Sequence, residues 1–568
     1  MSLLAGSLAD RHQRENALKN YRQEIVKLAR LAALAFACAT ALAAAPAISG
    51  IYHAAAWIPP DLPNSGIAQG SIFTVTGTGL GPTTLQQAQS YPLPATQGLA
   101  GTTLQATVGG VTETCIMIYT VATQVAAILP SATPTGTGTL TLTYSGAKSS
   151  IAIQVLAANF GTFTLNEAGT GPGVVTDTSY HPITMINAAH PGDNLVLWGT
   201  GLGAVTGDET EPPTPVDLGT GVQVLVGNQP ATVLYGGRSS SPGLDQINFV
   251  VPAGINPGCK TSIVVLVKGV TGNVTTTSIA PAGQTTCGDT SGLLTAANLQ
   301  KAAANGSLNM AGIEIDRIGG GDDALVAYFG TFPLNSLIRS YGGSFLPSIG
   351  SCTTYEVGGS SLAAALVDPI QPSYLDAGTD LVASGPGGTK TVPVTTTSTI
   401  SKGYYAGYLA IQPSVYIAPG TYSVANGSGG ANVGPFTWGL TLPATVVPSN
   451  IPAIVNRAQN LTLNWTGGSP FSIVGIFASS GLVVSESPFR SSYVYIMCNA
   501  NASAGTFTIP SAILNLLPTN GYGTVTTQGV NISIAGIPES HYTVAGSPGI
   551  DTGILTVYIA SGSVAAIQ

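Results

Sequence analysis

The chain has 568 residues, more than one ordinary domain, so several separately cored units are expected. Charged residues make up only 7% of it and apolar residues 44%, a balance that argues against a disordered polar chain. Its formal net charge of −8 argues against nucleic acid as a partner, because phosphate binding needs a clustered basic face.

The N-terminal segment has the pattern of a secretory signal. Arg22, Lys27 and Arg30 precede an Ala/Leu-rich stretch, 31–45, that is short for a membrane span, and the ALA triplet at 41–43 suits cleavage. We therefore predict a signal peptide over 1–43 and a secreted or cell-envelope protein. The alternative is an uncleaved anchor, which would be the chain's one contact with a membrane. Removal of 1–43 leaves 11 Lys and Arg against 22 Asp and Glu.

Internal repetition is the clearest organisational feature. Residues 70–81 read GSIFTVTGTGLG, and residues 192–203 read GDNLVLWGTGLG, at an offset of 122. The same offset relates QVAAILP at 124–130 to QINFVVP at 246–252. Further matches in the same order link 107–110 with 225–228 and 140–146 with 264–269. These landmarks indicate two copies of one module.

Each landmark predicts a piece of β-structure. An alternating strand ends in GTGLG, whose glycines permit positive φ where the chain leaves a sheet sharply. The Gly-Gly and Gly-Asn pairs at 109–110 and 227–228 predict hairpin turns. The next strand of each copy ends at Pro130 or Pro252, because proline has no backbone N–H to donate to a neighbouring strand. About seven such strands per 100 residues predict a two-sheet sandwich.

The GTGLG element also matches half of a dinucleotide-binding fingerprint, which would require a helix directly after it. Pro82 or Ala204 follows instead, and no amphipathic helix pattern appears within the next twenty residues. The sequence therefore favours a sheet exit over a nucleotide site, and we expect no cofactor.

This order of strand, GTGLG, hairpin turn and Q-[IV]…P strand resembles the IPT/TIG family of immunoglobulin-like modules. PGDNLVLWGTGLG from Pro191 and GLDQINFVVPAGI from Gly243 are its most specific runs, and they are similar to modules of large secreted proteins of soil bacteria. The resemblance covers 60–290 and implies an IPT/TIG-like sandwich at 60–160 and another at 161–290. It also implies a binding or spacer role, and it carries no catalytic residues to this chain.

In the remaining half of the chain, short apolar runs alternate with turn residues, a pattern typical of further β-domains. A helix is predicted at 291–304 from its apolar spacing. We expect a third β-domain at 299–442 and an immunoglobulin- or fibronectin-like sandwich at 444–568, so that the whole fold is all-β with tandem sandwiches after a signal helix. The predicted strands are 312–318, 324–332, 353–357, 380–384, 404–412, 420–424, 461–465, 471–478, 493–498, 505–509 and 553–559.

Cysteine use agrees with export. Cys259 and Cys287 bracket two predicted strands, 262–268 and 274–280, which a hairpin would bring side by side, so we predict a disulfide between them. The sequence contains no C-x-x-C pair, so it gives no indication of a metal or redox site.

The other cysteines are less informative. Cys352 and Cys498 lie in different predicted domains, and either a disulfide or two buried thiols would fit. Cys115 sits in an apolar run and is expected in a core.

Candidate chemistry is sparse. Asp316, Asp322 and Asp323 surround a Gly319–Gly321 run and are weak calcium candidates, although a solvated turn explains them better. No H-E-x-x-H or G-x-S-x-G motif is present, so we expect no enzyme.

Three functions remain open. The favoured one is a non-catalytic surface binding or adhesion protein that contacts a cell-surface glycan or protein through loops. The alternatives are a self-associating subunit of an extracellular filament or envelope layer, and an accessory part of a polysaccharide-processing system. Aromatic residues that could contact a ligand, against the simpler interpretation that most of them pack internally, are Trp57, Tyr119, Tyr180, Tyr235 and Trp438.

Overall fold

A computed structural model provides the coordinates of the chain. It describes residues 45–218, 221–289, 293–317, 321–340, 346–358, 372–397, 400–467, 473–486, 489–519, 529–543 and 547–568, with backbone alone at 484–486 and 489–490. The predicted signal segment at 1–43 lies outside these residues. None of the helices among them is both long and apolar enough to cross a membrane.

The first module is a sandwich of two five-stranded sheets whose facing sides enclose one apolar core. Phe73, Val75, Leu104 and Leu140 in this core are fully buried. Its strands are β1 (Ala47–His53), β2 (Ile67–Ala68), β3 (Ile72–Thr78), β4 (Gln86–Gln87), β5 (Thr102–Val108), β6 (Val111–Thr114), β7 (Ile116–Val121), β8 (Gln124–Ile128), β9 (Gly136–Tyr144) and β10 (Ala147–Leu156). One sheet has the order β1-β3-β8-β7-β4 and the other β2-β10-β9-β5-β6.

Strand β5 shows why this sequence makes a sandwich. Leu104, Ala106 and Val108 are buried, and the residues between them are more exposed, so the period of two in the sequence becomes an inner and an outer face. The chain then changes sheets at Cys115, since β6 pairs with β5 and β7 pairs with β8. Cys115 is fully buried in the core, as expected, and burial raises the pKa of its thiol to about 12.

The second module repeats this plan with one difference. Its strands are β11 (Gly161–Thr162), β12 (Gly171–Pro172), β13 (Val175–Asp177), β14 (Asn194–Thr200), β15 (Val216–Asp217), β16 (Val222–Val226), β17 (Gln229–Arg238), β18 (Asp245–Val250), β19 (Gly258–Val267), β20 (Val270–Thr271) and β21 (Thr275–Ile279). Strand β14 has the bounds of β3 displaced by 122 residues, so the predicted repeat is structural.

A single strand joins the two sheets of the second module. The first part of β17 pairs with β16 and the rest pairs with β18, with a register shift between Val233 and Tyr235. In the first module β6 and β7 share this task. The two sheets therefore merge into one sheet of eleven strands, eight on the continuous path β11-β14-β18-β17-β16-β19-β21-β12 and three, β13, β15 and β20, paired beside it. The predicted fold class, all-β with tandem immunoglobulin-like sandwiches, is confirmed for the described residues.

One helix links the second module to the rest of the chain. Helix α1 (Ala296–Asn305) is capped by the Thr295 side chain, which accepts from the Asn298 backbone N–H at 3.2 Å, and ends at Gly306 with φ 75°. Leu299 and Ala302 form its buried face. The helix predicted at 291–304 is thus present.

The described residues of the C-terminal half form four sheets and two short helices. Its strands are β22 (Ser307–Arg317), β23 (Asp323–Pro333), β24 (Cys352–Gly358), β25 (Ser373–Tyr374), β26 (Asp380–Gly385), β27 (Gly388–Pro393), β28 (Tyr404–Ala410), β29 (Gly420–Ala425), β30 (Thr437–Leu442), β31 (Val447–Pro448), β32 (Ile454–Val455), β33 (Leu461–Thr466), β34 (Ile473–Glu486), β35 (Phe489–Asn501), β36 (Thr506–Ile509), β37 (Val530–Ile537), β38 (Glu539–Thr543), β39 (Thr552–Ile559) and β40 (Ser561–Ile567). The helices are α2 (Leu334–Arg339) and α3 (Ser511–Leu514), and Ala502–Ala504 form one 3-10 turn.

Two sheets cross the boundary that the sequence predicts between 442 and 444. In one of them, ordered β25-β23-β22-β39-β38, strand β22 pairs in parallel with β39 from the end of the chain. In the other, ordered β24-β35-β34-β37-β40-β32, strand β24 pairs with β35. The remaining sheets, β27-β26-β29-β30 and β31-β33-β36, stay on their own sides of that boundary. Strand punctuation identifies strands but not their partners, so the interleaving of 299–442 with 444–568 could not be inferred from it.

Two disulfides cross-link the chain within this architecture. Cys259 and Cys287 are bonded, as the sequence predicts. Cys352 and Cys498 are bonded as well, and they stand directly opposite each other on β24 and β35. The second bond therefore links a strand of the predicted third domain to a strand of the predicted fourth.

Candidate functional site: a cleft where three segments meet

A cavity of about 280 Å³ opens where the two modules and the C-terminal half come together. It is lined by residues 56–57 after β1, by 168–170 and 273–274 of the second module, and by 354–358 on β24. We call it the junction cleft. Its size is close to the lower end of small-molecule sites.

Trp57 forms one wall of the junction cleft in a strained conformation. Its backbone φ is 53°, a region that bulky residues rarely adopt, and its N–H donates to the carbonyl of His53 at 3.0 Å. The indole is half-buried and lies 5.6 Å from the ring of Tyr52. Gly169 permits this turn, since a Cβ there would lie 2.0 Å from the carbonyl oxygen of Ala56.

Glu356, on β24, also lines the cleft. Burial raises the pKa of its carboxyl to about 7, although Asn64 and Thr354 oppose the shift. Oε1 is enclosed without a well-aligned hydrogen bond, and the amide of Asn64, which is close enough to lower the pKa of this carboxyl, makes no well-aligned bond either. The cleft therefore borders a group of unsatisfied polar atoms, which native proteins seldom keep.

The walls of the junction cleft are held by hydrogen bonds to backbone. Asn273 accepts from the N–H of Thr162 at 2.8 Å and donates to the carbonyls of Thr162 and Gly169 at 2.9 and 2.7 Å. Thr170 Oγ1 donates to the carbonyl of Thr354 at 3.1 Å, which ties the second module to β24. The amide of Asn273 is thus fully used for structure.

Behind Trp57, a neutral histidine closes the junction between the first two modules. Nδ1 of His53 accepts from the N–H groups of Ala55 and Ala56, both at 3.3 Å, so the ring proton resides on Nε2, which donates to the carbonyl of Asn159 at 3.1 Å. Burial lowers the pKa of His53 to about 4, despite the opposing effect of the Asn159 and Thr200 backbones.

The same junction contains a buried ion pair. Nε of Arg238 lies 2.9 Å from Oδ1 of Asp245, and both side chains are almost wholly buried. Oδ2 of Asp245 accepts from the N–H groups of Gly201 and Leu202, both at 2.8 Å, so the GTGLG motif of the second module is a carboxylate-binding turn. Burial raises the pKa of Asp245 to about 6, against the attraction of Arg238.

Of the five aromatic candidates, Trp57 alone lines the junction cleft. Tyr119 is half-buried, and burial raises the pKa of its hydroxyl. Tyr180 is 65% exposed with its ring 6.0 Å from Trp198, and the hydroxyl of Tyr235 donates to the carbonyl of Arg238 at 2.7 Å.

Trp438 must be corrected from a ligand-contact candidate to a core residue. It is fully buried, stacks on Tyr542 with ring centroids 4.5 Å apart, and donates through Nε1 to Ser547 at 2.6 Å. Its neighbours come from the end of the chain, which the sequence does not place beside it.

The weak calcium candidates have other roles in the structure. The carboxylate of Asp323 binds the Arg317 guanidinium and accepts from the N–H groups of Tyr416 and Ile417. Asp322 accepts from the N–H of Gln412 at 2.9 Å. Asp316 lies beside Glu314, and burial raises its pKa to about 7. Within the described ranges no cluster of three or more His, Cys, Asp or Glu side chains could hold a metal.

Sequence reasoning did not find Glu356, Asn64, Arg238 or Asp245. None of them lies in a motif of known catalytic or ligand-binding function, and each acquires its role from the way the chain folds around it. The one available signal was Asp245 within the specific run from Gly243, which the family resemblance marked without a function.

No family model and no curated protein matches the sequence. Among solved structures, the Plexin A4 extracellular region shares 14% identity over 40% of this chain and 17% of its own, with a TM-score of 0.16. The S-layer protein SbsC shares 13% identity over 94% of this chain and 56% of its own, with a TM-score of 0.18. A titin I9–I11 tandem shares 7% identity over 66% of this chain and 94% of its own, with a TM-score of 0.12. The chain thus spans a minor part of Plexin A4, and scores this low carry no argument about function.

Proposed function

We propose that the chain is a non-catalytic, extracellular scaffold of IPT/TIG-like modules that presents binding surfaces at the cell surface. The observation that carries this proposal is the junction of the first two modules. Arg238 of the second module donates through Nη1 to the carbonyl of Gly70 in the first at 2.8 Å, in a site closed to water. Flexibly linked domains do not usually bury a charged side chain of one domain against the backbone of the other in this way.

Further contacts extend this arrangement along the chain. Ser131 of the first module donates through its N–H and its hydroxyl to Glu209 of the second at 2.8 and 2.7 Å. Thr271 donates to the carbonyl of Ala512 at 2.7 Å, which joins the second module to α3. A body fixed at each junction suits a spacer that holds loops at set positions.

Two disulfides support an oxidising, extracellular location. The test is protease shaving of intact host cells followed by mass spectrometry of the released peptides under non-reducing conditions. Recovery of the Cys259–Cys287 and Cys352–Cys498 cross-linked peptides from the cell surface is expected. A cytoplasmic protein with free thiols would refute the proposal, and so would turnover of an envelope polysaccharide by the purified chain.

The second candidate is a self-associating subunit of an extracellular layer. It is favoured by large apolar side chains that lie exposed on and after β28 and on its neighbour β23. The exposed fractions are 68% for Tyr408, 61% for Ile411, 54% for Val415 and 37% for Val326. Sedimentation of the purified chain tests this: concentration-dependent polymers that Tyr408→Ser abolishes support self-association, and a monomer at all concentrations excludes it. The exposed Tyr180→Ser is the matched control.

A further inference from the structure

The described lining of the junction cleft carries an acidic side chain and no basic side chain to neutralise its charge. Its described lining contains the carboxyl of Glu356 and an indole, and no Lys, Arg or His side chain. On the neighbouring segment, Glu167 lies 3.6 Å from Arg339, so this pair adds little net charge. Among the described residues that line the cleft, an ionised carboxylate therefore has no cationic side chain opposite it.

Several polar atoms near the Glu356 carboxyl are buried without a well-aligned hydrogen-bond partner. Asn64 is 2% exposed and lies close enough to Glu356 to lower the pKa of its carboxyl, yet neither its Nδ2 and Oδ1 nor Oε1 of Glu356 makes a well-aligned hydrogen bond. An enclosed polar atom without a partner costs roughly 1–3 kcal/mol, which a fold keeps where something else is gained. The strained φ of Trp57, which lines the same cleft, is an independent observation of the same kind.

We propose that the junction cleft binds a small organic cation, a primary or methylated ammonium group on a short carbon chain, between the Glu356 carboxylate and the Trp57 indole. A carboxylate and an aromatic face are the two groups that hold such a cation. The cavity of about 280 Å³ accommodates a compact head group but no longer oligomer. A neutral sugar would need several free polar side chains, and the amide of Asn273 is already used by backbone. This inference goes beyond the scaffold role and does not depend on it.

The test is calorimetric titration of the purified full chain with tetramethylammonium, choline and butylammonium at pH 8, with 3,3-dimethylbutanol as the uncharged analogue of choline. We expect saturable binding of the cations at roughly millimolar concentration and binding of the alcohol weaker by about tenfold or more. Glu356→Gln should weaken cation binding by about tenfold, and Trp57→Leu should do the same. Trp57→Phe, which keeps an aromatic face, should change it by less than about threefold.

Matched controls separate the site from general effects. Glu113→Gln removes an equal charge on β6, and Tyr180→Leu removes an exposed aromatic ring, so both should leave cation binding unchanged. Binding should also fall about tenfold or more from pH 8 to pH 5.5, because a carboxyl with a pKa of about 7 takes up a proton in that interval. Thermal melting shows that each variant is folded, and if Glu356→Gln is not, the two Trp57 variants decide.

Four results would overturn the proposal: no saturable binding of any cation, equal binding of the alcohol, unchanged binding by Glu356→Gln, or binding of neutral monosaccharides that displaces the cations. Any of the first three would show that the cleft does not recognise a positive charge through Glu356. The fourth would show that the cleft binds another class of ligand.

Discussion

The guanidinium of Arg238 and the carbonyl oxygen of Gly70 meet across the junction of the first two modules at 2.8 Å, although 168 residues separate them in the chain. Arg238 also donates to the carbonyl of Gly203 at 3.2 Å and pairs with Asp245. One side chain therefore connects the two repeat segments, 70–81 and 192–203. The repeat therefore supplies two similar sandwiches and also the surfaces by which they dock.

Arg238→Met should destabilise the first two modules by about 3 kcal/mol at neutral pH, because it leaves the Asp245 carboxylate buried without a counter-ion. Urea denaturation followed by tryptophan fluorescence measures the loss. Lys148→Met, at an exposed position, should change the denaturation midpoint very little. Equal effects of the two substitutions would show that the buried pair is not a stabilising link.

Asp245 should make the junction more stable in mild acid. Its folded-state pKa of about 6 lies above the ordinary value of 3.8, so the folded protein binds a proton more readily than the unfolded one. The stability from this group is fully present below pH 3.8 and is lost as the pH rises through about 6. Asp245→Asn cannot titrate and should lose this dependence, which denaturation midpoints between pH 4 and 7 would reveal.

His53 should act in the opposite direction. Its folded-state pKa of about 4 lies below the ordinary 6.5, so its contribution is present above pH 6.5 and is lost as the pH falls towards 4. The loss amounts to about 3 kcal/mol at roughly 1.4 kcal/mol per pKa unit. His53→Gln should remove this acid sensitivity while the Asp245 dependence remains. A wild-type profile that is unchanged by His53→Gln would mean that the ring accepts a proton without disruption.

The two disulfides should differ in what they contribute. The Cys352–Cys498 bond closes a separation of 146 residues and the Cys259–Cys287 bond one of 28. On the chain-entropy description they stabilise by about 5 and about 3.5 kcal/mol. Paired Cys→Ser variants, compared by thermal denaturation, should show the larger loss for Cys352 and Cys498. The reverse order would indicate that β24 and β35 stay together in the unfolded state.

The segment 299–442 should not fold by itself. Its strand β22 would lack β39 and its strand β24 would lack β35, so two sheet edges would stand open. Expressed alone, this fragment should be digested rapidly by protease, whereas 299–568 should give a resistant core. A protease-resistant 299–442 with dispersed amide resonances would restore the boundary expected from the sequence.

Local patterns in the sequence predicted the strands well, and pairing was beyond their reach. The prediction at 380–384 matches β26 (Asp380–Gly385), and the prediction at 553–559 matches β39 (Thr552–Ile559), because alternation and turn residues are local properties. Nothing local indicated that β39 would lie beside β22. Strand β1 was missed too, since it begins directly after the apolar leader and carries Gly50 inside it.

The junction cleft shows the same limit at the level of single residues. Trp57 could be selected because aromatic residues are few and recognisable. Glu356 could not, since a carboxylate in an ordinary strand acquires a raised pKa only when segments that are distant in the chain bury it. Trp438 was misassigned for the same reason, because Tyr542 and Ser547 cover it from a distant segment.

The parallel pairing of β22 with β39 constrains when this protein can finish folding. Asn309 and Asp551, which meet at 2.8 Å beside that pairing, are synthesised 242 residues apart. The first two modules have all their strands once residue 279 has emerged, whereas β22 must wait for nearly the whole chain. A nascent chain halted before β39 would hold two finished sandwiches and two incomplete sheets, because β40 would also be missing beside β37. Its susceptibility to aggregation would be confined to that interval of synthesis.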